Sequence, residues 1–428
     1  MRKRDSAERF RPSRRRSISS SGEAGISGRA PLPILLLAAI GALLLGWVVV
    51  RVSAANALIE SRPAAAPVGA TGQAEAQLEL ARAELQLAGT PSEETVRSAH
   101  EAFRRLPLSD VPLLIGVRRA MDAGEDDKAD RLLAMAARRN PRSRYTLLLE
   151  LDQHVRRGRT AEAAETIAVL TRFFPEVGDF LVGELGRMAG DPASRGAVRK
   201  VMETDPRIRT SVLEQLAREG ADPDLILALA GPQGRQAARS ETPRWQRLML
   251  DRMVERGRVD EALRVWTSLV GVDPAARAAG IYDAEFRALP GPPPFNWDLE
   301  LGSDGFAERD GSGGLHVQYY GRGNAVLASQ LLTLAPGTYE VGFDVEGEAD
   351  GEHGQLAWTV TCHPGGGRLV AVPITGVDFA SRRLSGSFTV PASGCLGQWL
   401  RLVGTAAEFP EDQQVTVTGL RIAGAETR

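Results

Sequence analysis

The feature that most constrains this chain is a change of hydrophobic period on either side of one proline cluster. Leu289-Pro290-Gly291-Pro292-Pro293-Pro294 cannot continue a helix or fill an interior strand. Before it, apolar residues recur at helical spacing: Leu78, Ala81, Leu85, then Val96, Ala99, Phe103 and Leu106. After it, the period is two. Tyr339, Val341, Phe343 and Val345 alternate with Glu340, Gly342, Asp344 and Glu346, and Leu356, Trp358, Val360 and Cys362 do the same beyond them. One part of the chain therefore reads as all-α and the other as antiparallel all-β, divided at 290–294. With 43% apolar and 25% charged residues in 428, wholesale disorder and a polytopic membrane protein are excluded.

A third region precedes both. No charge falls between Arg29 and Arg51, and the intervening residues, apolar from Ile34 to Val50, span roughly 31 Å at 1.5 Å per residue, close to the hydrocarbon thickness of a bilayer. Residues 1–30 hold nine Arg or Lys against Asp5, Glu8 and Glu23, and the positive-inside bias keeps such an end in the cytoplasm. The expectation is a basic tail over 1–30, a transmembrane helix over 31–51 and a small-residue linker over 52–71. That makes a single-pass bacterial inner-membrane protein with its bulk in the periplasm. A cleaved signal peptide is the rival, because Ala55-Asn56-Ala57 fits a cleavage site. Only three of 52 basic residues are lysine, which reflects GC-rich coding and not a nucleic-acid partner.

Within 72–289 the sequence repeats itself. Gly124, Ala129 and Pro141 recur with the same spacing as Gly158, Ala163 and Pro175, and as Gly257, Ala262 and Pro274. A glycine at a tight interhelix turn, a small residue where two helices touch and a proline that ends the pair describe stacked helical hairpins. The 34-residue step between the first two glycines resembles the tetratricopeptide repeat. That resemblance implies a concave groove for a protein partner, lined by Arg118, Asp122, Tyr145, Asp152, Arg156, Arg244, Arg247, Asp251 and Glu255. Their mixed charge does not suit a nucleic-acid backbone. Ordinary solvated faces with internal salt bridges are the alternative. Residues 176–240 depart from the repeat and are expected to form irregular hairpins.

From 295 to 428, eight to ten short strands separated by Gly-rich turns imply an antiparallel sandwich, expected in the jelly-roll form, with a bulge near Gly419. Cys362 shares an inward phase with Trp358, Cys395 opens the strand carrying Trp399, and the two are expected to pair in an exported domain, two separate buried thiols being the alternative. The strand pattern resembles the small jelly rolls of bacterial carbohydrate-binding modules. Glycan contacts would then come from aromatic rings with planar polar neighbours: Trp297 with Asn296, Tyr320 with His316 and Gln318, Arg322 with Asn324, and Trp399 with Gln398. The alternative is that the tryptophans plug the core.

Enzyme signatures are absent. The five histidines form no H-E-x-x-H or zinc spacing, and no nucleophile elbow, Walker loop or dinucleotide fingerprint occurs. A calcium loop starting at Glu346 fails at its twelfth position, Ala357, although a looser site within Asp344 to Glu352 stays open. No metal or cofactor is expected. The expectation is a membrane-anchored scaffold in envelope or exopolysaccharide assembly, its helical arm holding a protein and its sandwich a glycan or second protein. A polysaccharide-active enzyme and a purely structural interaction module are the competitors.

Overall fold

The computed structural model describes residues 72–88, 91–235, 242–272 and 280–424. The basic tail, the apolar run 31–51, the linker 52–71 and Pro274 lie outside them. The chain divides into two compact units, Met1–Ile115 and Gly116–Arg428. The described architecture is a helical region followed by an antiparallel β-sandwich.

This corrects the expected single-pass membrane fold and the inner-membrane localisation that depended on it: no helix among the described residues is long and apolar enough to cross a membrane. The longest is α1 (Gly72–Ala88), 17 residues or about 26 Å at 1.5 Å per residue. It carries Glu75, Glu79, Arg82 and Glu84, charges that a hydrocarbon core does not accommodate in such number.

In the first unit, α1 packs against α2 (Glu93–Arg105). Ser92 caps α2 by accepting the Thr95 amide proton, and Arg82 pairs with the buried Asp110 at 3.2 Å. The chain continues through α3 (Val111–Asp122), which crosses the unit boundary, into α4 (Asp126–Arg139), α5 (Arg144–Arg156) and α6 (Thr160–Phe173). Gly124 and Gly158 turn α3 into α4 and α5 into α6 with left-handed φ of 71° and 65°; Gly257 repeats this at 75° between α11 (Arg244–Glu255) and α12 (Val259–Val270). A side chain there would strain the backbone by roughly 1–2 kcal/mol. Ala129, Ala163 and Ala262, at most 2% exposed, allow the paired helices to close. Twelve α-helices among the described residues are consistent with a helical repeat.

Between these regular hairpins lie α7 (Gly178–Gly190), α8 (Arg195–Thr204), α9 (Pro206–Glu219) and α10 (Pro223–Arg235). Asp205 caps α9 ahead of a proline at its first position, and Gly220 ends it in the left-handed region. The last of the four is broken at Gly231-Pro232, where φ is 66°.

The sandwich has twelve described strands in two antiparallel sheets. The five-stranded sheet runs β1 (Asp298–Leu299), β5 (Ala325–Leu332), β11 (Gly397–Thr405), β7 (Gln355–His363) and β8 (Arg368–Ile374). The other runs β10 (Arg382–Val390), β6 (Gly337–Ala349), β12 (Gln413–Gly424), β4 (Leu315–Tyr319), β3 (Gly305–Arg309) and β2 (Leu301–Gly302), with β9 (Val377–Asp378) beside β6. The register of β12 on β6 slips between Thr418 and Arg421, and Gly419 has φ of 59°, so the phase change at Gly419 is a bulge. Cys362 and Cys395 form a disulfide.

The proline cluster is a packed seam, not a bare boundary. Carbonyls that proline leaves without a partnering N–H of its own serve as acceptors: Pro292 for the Trp266 indole at 2.9 Å, Pro290 for the Tyr282 hydroxyl at 2.9 Å and Pro294 for the Leu331 amide at 2.7 Å. Phe295 and Leu331 share one buried core with Trp266 and the helices, and Trp399 packs against it. Upstream of the prolines, Ile281 and Phe286 enter the core between the sheets, so the sandwich recruits residues before 295. Gln330 fixes that segment by exchanging two 2.8 Å hydrogen bonds with the Tyr282 backbone.

Candidate functional site

Strand alternation decides which candidate residues reach a surface. On β11, Gln398, Leu400 and Leu402 point inward, while Trp399, Arg401 and Val403 point outward. Gln398 is fully buried and binds the Leu334 backbone. Its partner in the expected pair, Trp399, lies on the other face. Trp297 is likewise internal, 5.8 Å from the Trp358 ring, with its indole N–H donating to the Asp283 carbonyl. Asn296, 3% exposed, donates to the carbonyls of Leu289 and Gly291. These three are brought to structural work inside the molecule and not to a ligand.

The remaining glycan candidates fall on separate surfaces. His316 and Gln318 share the outer face of the seven-stranded sheet, where His316 sits 3.4 Å from Gln414 and 6.0 Å from the Phe306 ring. Tyr320, Arg322 and Asn324 lie in the β4–β5 loop. Arg322 stands over Tyr320 at 5.9 Å, and Asn324 accepts the Ala406 amide proton. Beside that loop, Asp350, His353 and Glu411 come within 4.8 Å of one another, the one metal-competent grouping found among the described residues.

Trp399 belongs to the outer face of the five-stranded sheet, and this face has an organisation that the sequence reading did not find. Register places Asp298, Ser329, Arg401, Thr359 and Ala371 in one row across five adjacent strands. The next row is Val326, Val403, Ala357 and Pro373, with Val326 at 45% exposure. A polar row thus runs beside an apolar one. On the third side, Leu331 and Trp399 lie under the helical core. Arg401 stands over the Trp399 ring at 4.6 Å, a cation–π contact that holds the guanidinium flat. Trp399 therefore offers no bare ring; it is the platform for Arg401.

Helix α11 frames this face and carries four of the expected groove residues. Arg247 grips Asp298 of the sheet through two hydrogen bonds of 2.9 and 2.6 Å and reaches Asp251 at 3.5 Å. Burial works against the Arg247 cation, yet the bonds and charge of Asp298, with Asp251 behind, raise its pKa. Burial raises that of Asp251, with the Arg247 charge opposing. Glu255 pairs with Arg252 at 2.7 Å, and Arg244 is exposed. A ring nitrogen of His363 lies 2.9 Å from the Val254 carbonyl and ties the same helix to β7.

The other groove residues sit on α3 and α5. Arg118 pairs with Asp122, and Asp152 with Arg156, each at 3.2 Å. Tyr145 is near enough to the first pair that Arg118 lowers and Asp122 raises its pKa, beneath a larger upward push from burial. Both pairs are internal i,i+4 salt bridges.

The signal for Arg401 was present in the sequence: it follows Trp399 by two positions in a strand, hence on the same face. Ser329 and Thr359 carried no such signal, because their row exists only through register.

No family model matches the chain, and no curated protein does. Among solved structures, the CBM22-1 xylan-binding domain of Paenibacillus barcinonensis Xyn10C is 16% identical over 31% of this chain and 87% of its own, with a TM-score of 0.22. A carbohydrate binding module from Cellvibrio mixtus lichenase 5A, in complex with cellotriose, is 16% identical over 30% of this chain and 93% of its own, with a TM-score of 0.20. TmCBM61, in complex with beta-1,4-galactotriose, is 17% identical over 34% and 94%, with a TM-score of 0.22. The C-terminal sandwich resembles carbohydrate-binding modules through these neighbours. At such scores the likeness says nothing of ligand, which rests on the faces themselves.

Proposed function

We propose that the protein is a non-catalytic scaffold. Its helical arm, read as tetratricopeptide-like, engages a protein partner, and its sandwich holds a polysaccharide against the outer face of the five-stranded sheet. The observation that carries the reading is the pairing of two rows on that face: Val326, Val403, Ala357 and Pro373 beside Ser329, Arg401 and Thr359. A sugar ring has an apolar C–H face and an equatorial rim of hydroxyls, and such a surface meets both at once. The seam formed by Trp266, Tyr282, Phe295 and Leu331 supports the scaffold part of the reading, since a shared core couples the last helical hairpin to the sandwich without a flexible joint.

Affinity electrophoresis of the full chain through gels holding single polysaccharides tests this. At least one polymer should retard the protein and emerge with unchanged chain length. Val326→Glu, a substitution at an exposed position, should release it, while Ser385→Glu on the outer face of the other sheet should not. Retardation that survives Val326→Glu would remove this face from the reading. Shortened polymer would replace the scaffold with an enzyme.

A further inference from the structure

Arg401 differs from the paired arginines of the neighbouring helix α11 and its C-terminal end. Arg247 is closed on Asp298, Arg252 on Glu255, and Arg256 on the carbonyls of Glu219 and Gly220. The Arg401 guanidinium has the Trp399 ring and, among the described residues, neither an ion pair nor a hydrogen bond. Burial alone acts on it and pulls its pKa down; no charged group contributes. A partly desolvated cation without a counter-charge is a cost that a folded chain normally relieves by pairing.

Its surroundings specify what relieves it. Trp399 is fixed from behind by the helical core, so the guanidinium is held in place before any ligand arrives. Ser329 and Thr359 flank it at one strand spacing, about 4.8 Å, on either side. The Ser329 hydroxyl has no protein partner among the described residues, whereas that of the buried Thr359 donates to the Arg401 carbonyl at 3.3 Å. A planar guanidinium matches a carboxylate through two parallel N–H···O bonds. The Ser329 hydroxyl and the apolar row match the rest of a sugar. A peptide would instead seek backbone pairing at a sheet edge, whereas Arg401 stands in the middle of a sheet face.

We propose that this face takes an acidic polysaccharide, with Arg401 receiving the carboxylate of a uronic acid residue and Ser329 meeting its hydroxyls. This rests on the glycan-binding reading of the same face and narrows it to one class.

The test compares two polymers that differ only at the carboxyl: polygalacturonate, and the same polymer with its carboxyls reduced to primary alcohols. The full chain should bind the first and lose about tenfold or more of that affinity both on the second and on Arg401→Met. Arg401→Lys should fall between, since a point charge lacks the fork. Should Arg401→Met fail to fold, Ser329→Asp supplies a carboxylate from within and should give the same loss. Equal binding of the two polymers, or full binding by the Arg401 and Ser329 variants, overturns the acidic assignment and leaves the glycan reading standing. Competition by poly-glutamate at equal affinity overturns the sugar class. Silence toward both polymers and toward neutral xylan and galactan removes the glycan reading as well.

Discussion

His353 Nδ1 lies 2.7 Å from an Asp350 carboxylate oxygen and 3.8 Å from one of Glu411. The Asp350 hydrogen bond raises the His353 pKa and, reciprocally, draws Asp350 down to about 2. The raised histidine contributes stability in full below its unfolded value of about 6.5 and loses it as pH climbs through the folded value. The depressed carboxylate contributes above about 3.9 and loses it as pH falls toward 2. The loop that joins β6 to β7 is therefore tightest between roughly pH 4 and 6.5. An NMR titration should place the His353 midpoint above that of an ordinary histidine, and Asp350→Asn should lower it. A midpoint that ignores Asp350→Asn would show that the contact does not persist in solution.

At the scale of elements, the Cys362–Cys395 bridge links the end of β7 to the chain entering β11. The loop between them spans 33 positions, for which the chain-entropy model gives about 3–4 kcal/mol. Reduction of the folded protein should lower stability to denaturant by about that amount, measured as a shift of the β-sheet transition. A shift below about 1 kcal/mol would mean the unfolded chain already keeps these strands together.

The hairpin glycines, the strands and the Gly419 bulge were legible in the sequence, because each depends on residues within one element or on a simple phase; the disulfide was legible because the chain has two cysteines and so one possible pair. The outer-face row was not. Ser329, Arg401 and Thr359 are separated by tens of residues and meet only through the order β5–β11–β7. Pairing adjacent residues as sugar contacts also failed for a physical reason: neighbours in a strand face opposite ways, so Gln398 went inside when Trp399 went out. Asn296 and Trp297 were drawn inward by the seam, whose proline carbonyls and buried rings no local pattern announces.

Across the molecule, the consequence of that seam is mechanical. Trp266 is fully buried on α12, meets Tyr282 edge-on at 4.9 Å and Phe295 at 6.0 Å, and donates to Pro292. Trp266→Ala should cost about 3–5 kcal/mol by emptying a space shared between helices and sandwich. Circular dichroism should then show the helical and β signals of residues 116–424 melting together in the parent protein. In the variant they should separate. Two transitions in the parent would mean that the shared core does not couple them.

The most direct measurement follows the tryptophan fluorescence of the full chain while polysaccharides of differing charge are titrated in. Trp399 lies directly beneath Arg401 on the proposed face, so occupancy there changes its emission. The account predicts a saturable change with an acidic polymer, abolished by Val326→Glu, and polymer recovered at its original length. A flat response to every polymer, or a response that Val326→Glu leaves intact, would contradict it.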